Sequence, residues 1–206
     1  MAKIKDNHQP LTSRLLRDLE EVAMREHLPS IGPVKGKIIT AVIKKYRPTS
    51  ILEIGTLHGY SAILMASLLP PDGKLITIEI DKNLANIARK NIDKAGRELL
   101  GKIQVICQNA IDVIPTLAGH HKFDMIFLDA VKEQYLQYLR LIEEHNLIKD
   151  HAVVVADNVL LYENEMKDYL EYVRNSDRYK SQTTETTLEF TKKVKDALEI
   201  SLRLNN

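Results

Sequence analysis

Aspartate and lysine stand three residues apart in IFLDAVKEQY, residues 126–135, where an apolar run ends and a helix should begin. The apolar run AVVVADNVL, residues 152–160, finishes in the same way on Asp157 and Asn158. Two carboxylates and an amide carbonyl are hard oxygen donors. They suit Mg²⁺, or a related divalent ion such as Mn²⁺ or Ca²⁺. For either acid alone, a helix cap or a turn is the better explanation. Both acids at the ends of sister strands, with Asn158 attached, favour a cation held by Asp129, Asp157 and Asn158. A neighbouring cation and partial burial both lower a lysine pKa, which makes Lys132 a candidate general base.

A second group of residues suits a nucleoside. In ILEIGTLHGYSAI, residues 51–63, Gly55 allows a sharp turn off a strand and Gly59 a close approach of backbone to ligand. The dinucleotide pattern G-x-G-x-x-G is absent, and Gly55-x-x-x-Gly59 replaces it. Glu79, at the end of ITIEI, is placed to take both hydroxyls of a ribose. Glu53, inside the preceding strand, would need a cationic partner, because an unpaired buried carboxylate is costly. A ligand with a ribose and an ammonium group fits S-adenosylmethionine better than NAD. Asn109 and Ala110 follow a third apolar run, at the end of the strand where open α/β sheets bind ligands.

The elements that would position these residues are legible in outline. ILEI, KLITIEI, IQVI, FDMIFLD and AVVVAD are continuously apolar, as expected of strands buried on both faces of a parallel sheet. Helix-patterned segments separate them, which implies right-handed crossovers and a three-layer α/β sandwich. Leu11, Leu15, Leu19, Val22 and Ala23 recur at helical spacing, and a second helix is expected from about Lys35 to Tyr46. Near the end, Met166, Tyr169, Leu170 and Val173 mark a last helix. TTLEF and ALEISLRL then read as two strands with too short a joint for a helix, so they must pair antiparallel. A mostly parallel sheet closed by an antiparallel hairpin is the arrangement of Rossmann-like class I methyltransferases.

Composition sets the outer limits. The chain has 206 residues, 44% hydrophobic and 28% charged, which suits one domain with an ample core. We read residues 1–206 as a single domain, with 1–46 a helical extension. A formal net charge of +1 gives no global field for nucleic acid. KKYR at 44–47 and TKKVK at 191–195 read as solvated faces. Neither a membrane span nor a secretory leader is expected, and one cysteine, Cys107, read as buried and inert, fits a reducing cytoplasm. The seven histidines read as scattered surface residues.

The chain resembles the cation-dependent O-methyltransferases of catechol and caffeoyl-CoA type. The similarity runs through PSIGPVKGKIITAVI, ILEIGTLHGYSAI, ITIEI, DVIPTL, FLDAVKEQY and VVVADNV, in that order, from 29 to 159. It implies a cofactor site of Ile31, Glu53, Gly55, Ser61, Glu79, Asn109, Ala110 and Asp129. Asp129, Asp157 and Asn158 fall on the family's metal ligands, and Lys132 on its general base. The implied reaction is in-line transfer of a methyl group from the sulfonium of S-adenosylmethionine to a metal-bound hydroxyl. The implied acceptor is a small hydroxylated aromatic molecule of catechol type.

Three positions depart from the pattern. The glutamate that receives the second catechol hydroxyl in the animal enzymes aligns here with Lys180. Val131 replaces a large aromatic, and Gln-Asn-Ala follows the third strand. Bacterial relatives of this size include enzymes that methylate 5-hydroxyuridine in tRNA, and a lysine at the pocket mouth would suit an anionic substrate. A tRNA is therefore an alternative acceptor, and a non-catalytic S-adenosylmethionine-binding protein a further alternative. Relatives include both monomers and homodimers.

Overall fold

The computed structural model describes residues 11–189 and 193–205. Phe190 of TTLEF and Thr191 and Lys192 of TKKVK lie outside the described residues.

The five continuously apolar runs form strands. They are β1 (Ser50–Ile54), β2 (Lys74–Glu79), β3 (Ile103–Cys107), β4 (Phe123–Leu128) and β5 (Ile148–Ala156). All five pair in parallel. With β6 (Tyr179–Thr187) and β7 (Lys195–Arg203), the sheet has the order β3-β2-β1-β4-β5-β7-β6. β7 inserts between β5 and β6 and runs antiparallel to both.

Alternate residues of each strand feed two separate cores. Leu52, Ile54, Ile126, Leu128, Val154 and Ala156 pack on one face, against α6 (Ala110–Thr116), α7 (Tyr135–Glu144) and α8 (Lys167–Asn175). Ile51, Met125, Phe127, Val153 and Val155 pack on the other. That second face is covered by α1 (Leu11–Glu26), α2 (Gly32–Tyr46), α3 (Tyr60–Ser67), α4 (Lys82–Lys94) and the short α5 (Arg97–Leu100). Burial on both faces explains why the strands read as unbroken apolar runs. α1 buries Leu15, Leu19 and Ala23 of the expected face, whereas Leu11 at its start is exposed and Val22 is half-buried.

α2 begins at Gly32, with Pro33 in its first turn, three residues before the expected Lys35. It ends on Arg47 in the left-handed region, ahead of Pro48. In α4 the Asp81 side chain caps the amides of Asn83 and Leu84.

The hairpin is antiparallel as expected, but its first strand is misplaced in the sequence reading. β6 starts at Tyr179 and ends at Thr187, so only the first two residues of TTLEF belong to it. An edge strand with one solvated face buries few apolar side chains. YKSQTTETT therefore carries no hydrophobic signal, and only its threonines hint at a strand.

Candidate active site

Parallel pairing of β4 and β5 aligns Leu128 with Ala156, so Asp129 and Asp157 leave adjacent strands side by side. The Asp157 amide donates to the Leu128 carbonyl at 3.0 Å and fixes that alignment. β1 lies between β2 and β4, so the sheet changes direction of growth beside Asp129. Ligand crevices in open α/β sheets lie at this reversal.

A cavity of about 630 Å³ occupies it. Its lining includes Ile31, Gly55, Ser61, Glu79, Asp129, Lys132, Asp157 and Asn158, eight of the eleven expected site residues. Glu53 is fully buried beneath it. Asn109 and Ala110 are not in its lining; Asn109 caps α6 by accepting from the Ile111 amide at 3.0 Å.

Gly55, with φ at +100°, is obligatory, since a Cβ there would collide with the Asp129 carbonyl. Gly59 differs from expectation. The space beside it holds Ala88 of α4, so its lack of a side chain serves helix packing.

Two acids dominate the nucleoside side. Glu79 accepts from the amides of Leu57 at 2.8 Å, Thr56 at 3.2 Å and Asp81 at 3.0 Å. Those bonds hold the carboxylate at the cavity wall. Glu53 has neither oxygen in a complete hydrogen bond. Burial pushes its carboxyl up to about 8, the Ser61 and Thr77 hydroxyls restrain the rise, and the charges of Asp129 and Glu79 add to it. A buried acid with no cationic partner among the described contacts fits a site built for a cationic ligand. The residues present therefore fit an adenosine-bearing ligand with an ammonium group.

On the opposite wall, Lys132 Nζ lies 2.9 Å from Asp129 Oδ1 and 2.9 Å from the Tyr135 hydroxyl. The pair is a direct contact. Asp157 lies 2% exposed. Burial and the Asp129 charge push its carboxyl up, while Lys35 and Lys132 pull it down. Among the described residues no group of three or more His, Cys, Asp and Glu could hold a metal ion. The candidate donors are two mutually repelling carboxylates and one amide, a set that fits a hard divalent cation and excludes a zinc-type cluster.

Several features escaped the sequence reading. Lys35 is buried, with Nζ 2.6 Å from both Asp157 Oδ1 and Asp196 Oδ2. The sequence marks it only as the expected start of a helix. Glu189 lines the cavity and accepts from the Val34 amide at 3.0 Å. Lys180 is the corresponding correction. It pairs with Leu202 near the start of β6, seven residues from the Thr187 end that adjoins the cavity, and it is absent from the lining. Glu189, not Lys180, is therefore the charged residue that this hairpin strand brings to the cavity. Tyr162 also lines the cavity, its ring 6.0 Å from Lys132 Nζ, and supplies an aromatic wall that Val131 does not. Finally, His58 is a buried cavity residue stacked on Tyr60, and Cys107 is only half-buried.

A parallel sheet ending in an inserted antiparallel strand, with an acid-lined crevice at its reversal, defines the Rossmann-like methyltransferase class. The chain belongs to the O-methyltransferase family, whose profile matches residues 6–202. It is 40% identical to catechol O-methyltransferase B of Danio rerio over 87% of this chain and 67% of that one. It is 39% identical to catechol O-methyltransferase of Mus musculus over 85% of this chain and 65% of that one. The chain thus spans about two thirds of the length of these two relatives. Among solved structures it is similar to the O-methyltransferase TomG of Streptomyces achromogenes, involved in tomaymycin synthesis and solved with S-adenosylmethionine. That likeness has a TM-score of 0.79 at 27% identity, over 98% of this chain and 93% of that one.

Proposed function

We propose that residues 1–206 form one methyltransferase domain that moves the methyl group of S-adenosylmethionine to a hydroxyl of a catechol-like small molecule, with a divalent cation. The single observation that carries this reading is one cavity with Gly55, Ser61 and Glu79 on one side and Asp129, Lys132, Asp157, Asn158 and Glu189 on the other. Glu79 would take the ribose hydroxyls. Glu53 and Asp129 would face the ammonium of the methionine moiety.

Asp129, Asp157 and Asn158 would hold the cation, which when bound lowers the pKa of a nearby substrate hydroxyl. Lys132 takes the proton of that hydroxyl. The oxygen would then attack the methyl carbon of S-adenosylmethionine, whose carbon–sulfur bond would break with its electron pair left on sulfur as the thioether. Glu189 accepts the neighbouring hydroxyl, and the Tyr162 ring bounds the acceptor. Holding both reactants in line supplies much of the rate. Glu189 at the cavity favours a vicinal diol, while Lys180 no longer supports an anionic acceptor.

The test is methyl-label transfer to a catechol panel and to unmodified tRNA, with and without chelator. Chelator-sensitive label in a catechol supports the reading. Label confined to tRNA replaces the acceptor, and binding of S-adenosylmethionine without transfer to either leaves a binding protein.

A further inference from the structure

Buried polar contacts tie the candidate cation site to elements outside the cavity. Asp196, at the start of β7 and 0% exposed, accepts through Oδ2 from Lys35 Nζ at 2.6 Å and from Asn158 Nδ2 at 2.8 Å. Its other oxygen accepts from the Leu161 amide at 3.2 Å. Lys35 Nζ also meets Asp157 Oδ1, which accepts in addition from the Asn158 amide at 2.7 Å. Asp196 is not part of the cavity wall. It thus joins α2, β7 and the segment after β5 without reaching a ligand.

The chemistry of these contacts dictates an orientation. An ionised carboxylate only accepts hydrogen bonds, so the Asn158 side chain must turn its NH₂ toward Asp196. Its carbonyl oxygen is the group left for the cavity that Asn158 lines. Lys35 only donates, so Asp157 Oδ1 is committed to protein donors and Oδ2 is left for a ligand. Side chains behind a metal's direct ligands commonly fix them in this way.

We infer that Lys35 and Asp196 are positioning residues that orient Asp157 and Asn158 for a divalent cation, Asp196 deciding which end of the Asn158 amide is offered. The inference rests on the cation reading proposed above.

The experiment titrates the 206-residue protein with Mn²⁺ alone, reading free Mn²⁺ by electron paramagnetic resonance, and measures S-adenosylhomocysteine affinity and thermal unfolding in parallel. Asp196→Ala is expected to raise the Mn²⁺ Kd about tenfold to a hundredfold, with S-adenosylhomocysteine affinity kept within about twofold, as befits a residue outside the cavity. Asp196→Asn is the rescue. Its amide keeps the oxygen on Lys35 and Asn158 and gives up only the Leu161 contact, so its Kd stays within about threefold of the wild type. If Asp196→Ala is unfolded, Asp196→Ser replaces it with the same expectation, because its shorter side chain cannot reach Asn158. A wild-type protein that does not bind Mn²⁺ overturns the cation reading and this inference with it. A wild type that binds, with Asp196→Ala binding equally well, overturns the inference alone. Asp196→Asn as weak as Asp196→Ala also overturns it, since charge rather than amide orientation would then be at work.

Discussion

The ammonium of Lys35 stands 2.6 Å from the carboxylate of Asp157, with both side chains at most 3% exposed. Burial works to lower the Lys35 pKa, and the two neighbouring carboxylates outweigh it, so the group is held above its ordinary value. Lys35→Met removes the only cation facing both Asp157 and Asp196 among the described contacts. Breaking a buried pair on one side leaves an uncompensated charge, and a loss of about 3–5 kcal/mol is expected. Denaturant unfolding at neutral pH measures it. A loss below about 1 kcal/mol would mean the acids are solvated or protonated instead.

Glu53 makes stability depend on pH. Its folded carboxyl titrates at about 8 against 4.5 for the ordinary group, because burial disfavours the charge. Between those values the folded chain holds a proton that the unfolded chain has released. Stability therefore falls as pH rises from about 4.5 to about 8, by at most about 1.4 kcal/mol per unit. Glu53→Gln should flatten that slope. Parallel profiles for the two proteins would show that Glu53 is ionised in the fold.

Lys132 tests the proton transfer. Lys132→Met should lower kcat by about a hundredfold to ten-thousandfold, the usual worth of a positioned base. Affinity for S-adenosylhomocysteine should stay as it was. An unchanged kcat, measured under single-turnover conditions, would reduce Lys132 to an ion-pair partner of Asp129.

Glu189 and Lys180 test the acceptor. Glu189→Ala should weaken a vicinal diol by about tenfold to a hundredfold in KM, as expected for a lost hydrogen bond to a charged group. A phenol with one hydroxyl should be unaffected. Lys180→Glu should leave both within about twofold, because that side chain sits away from the cavity end of β6. The reverse pattern would bring Lys180 to the acceptor and restore the case for an anionic substrate.

The sequence by itself determined the strands, the crossover helices and the acids at strand ends, because those signals are local. Five apolar runs with no alternation can only be strands covered on both sides, and side chains that follow them directly must emerge at one edge. Gly55, Glu79, Asp129, Lys132, Asp157 and Asn158 are legible for that reason. Tertiary structure decided everything that depends on distance along the chain. The salt bridge of Lys35 spans α2, the segment after β5, and β7, and no pattern within a helix distinguishes a buried lysine from a solvated one. Glu189 reaches the cavity only because β6 begins at Tyr179, a register set by pairing with β7 through polar residues. Where hydrophobic periodicity is absent, only the partner strand fixes the register.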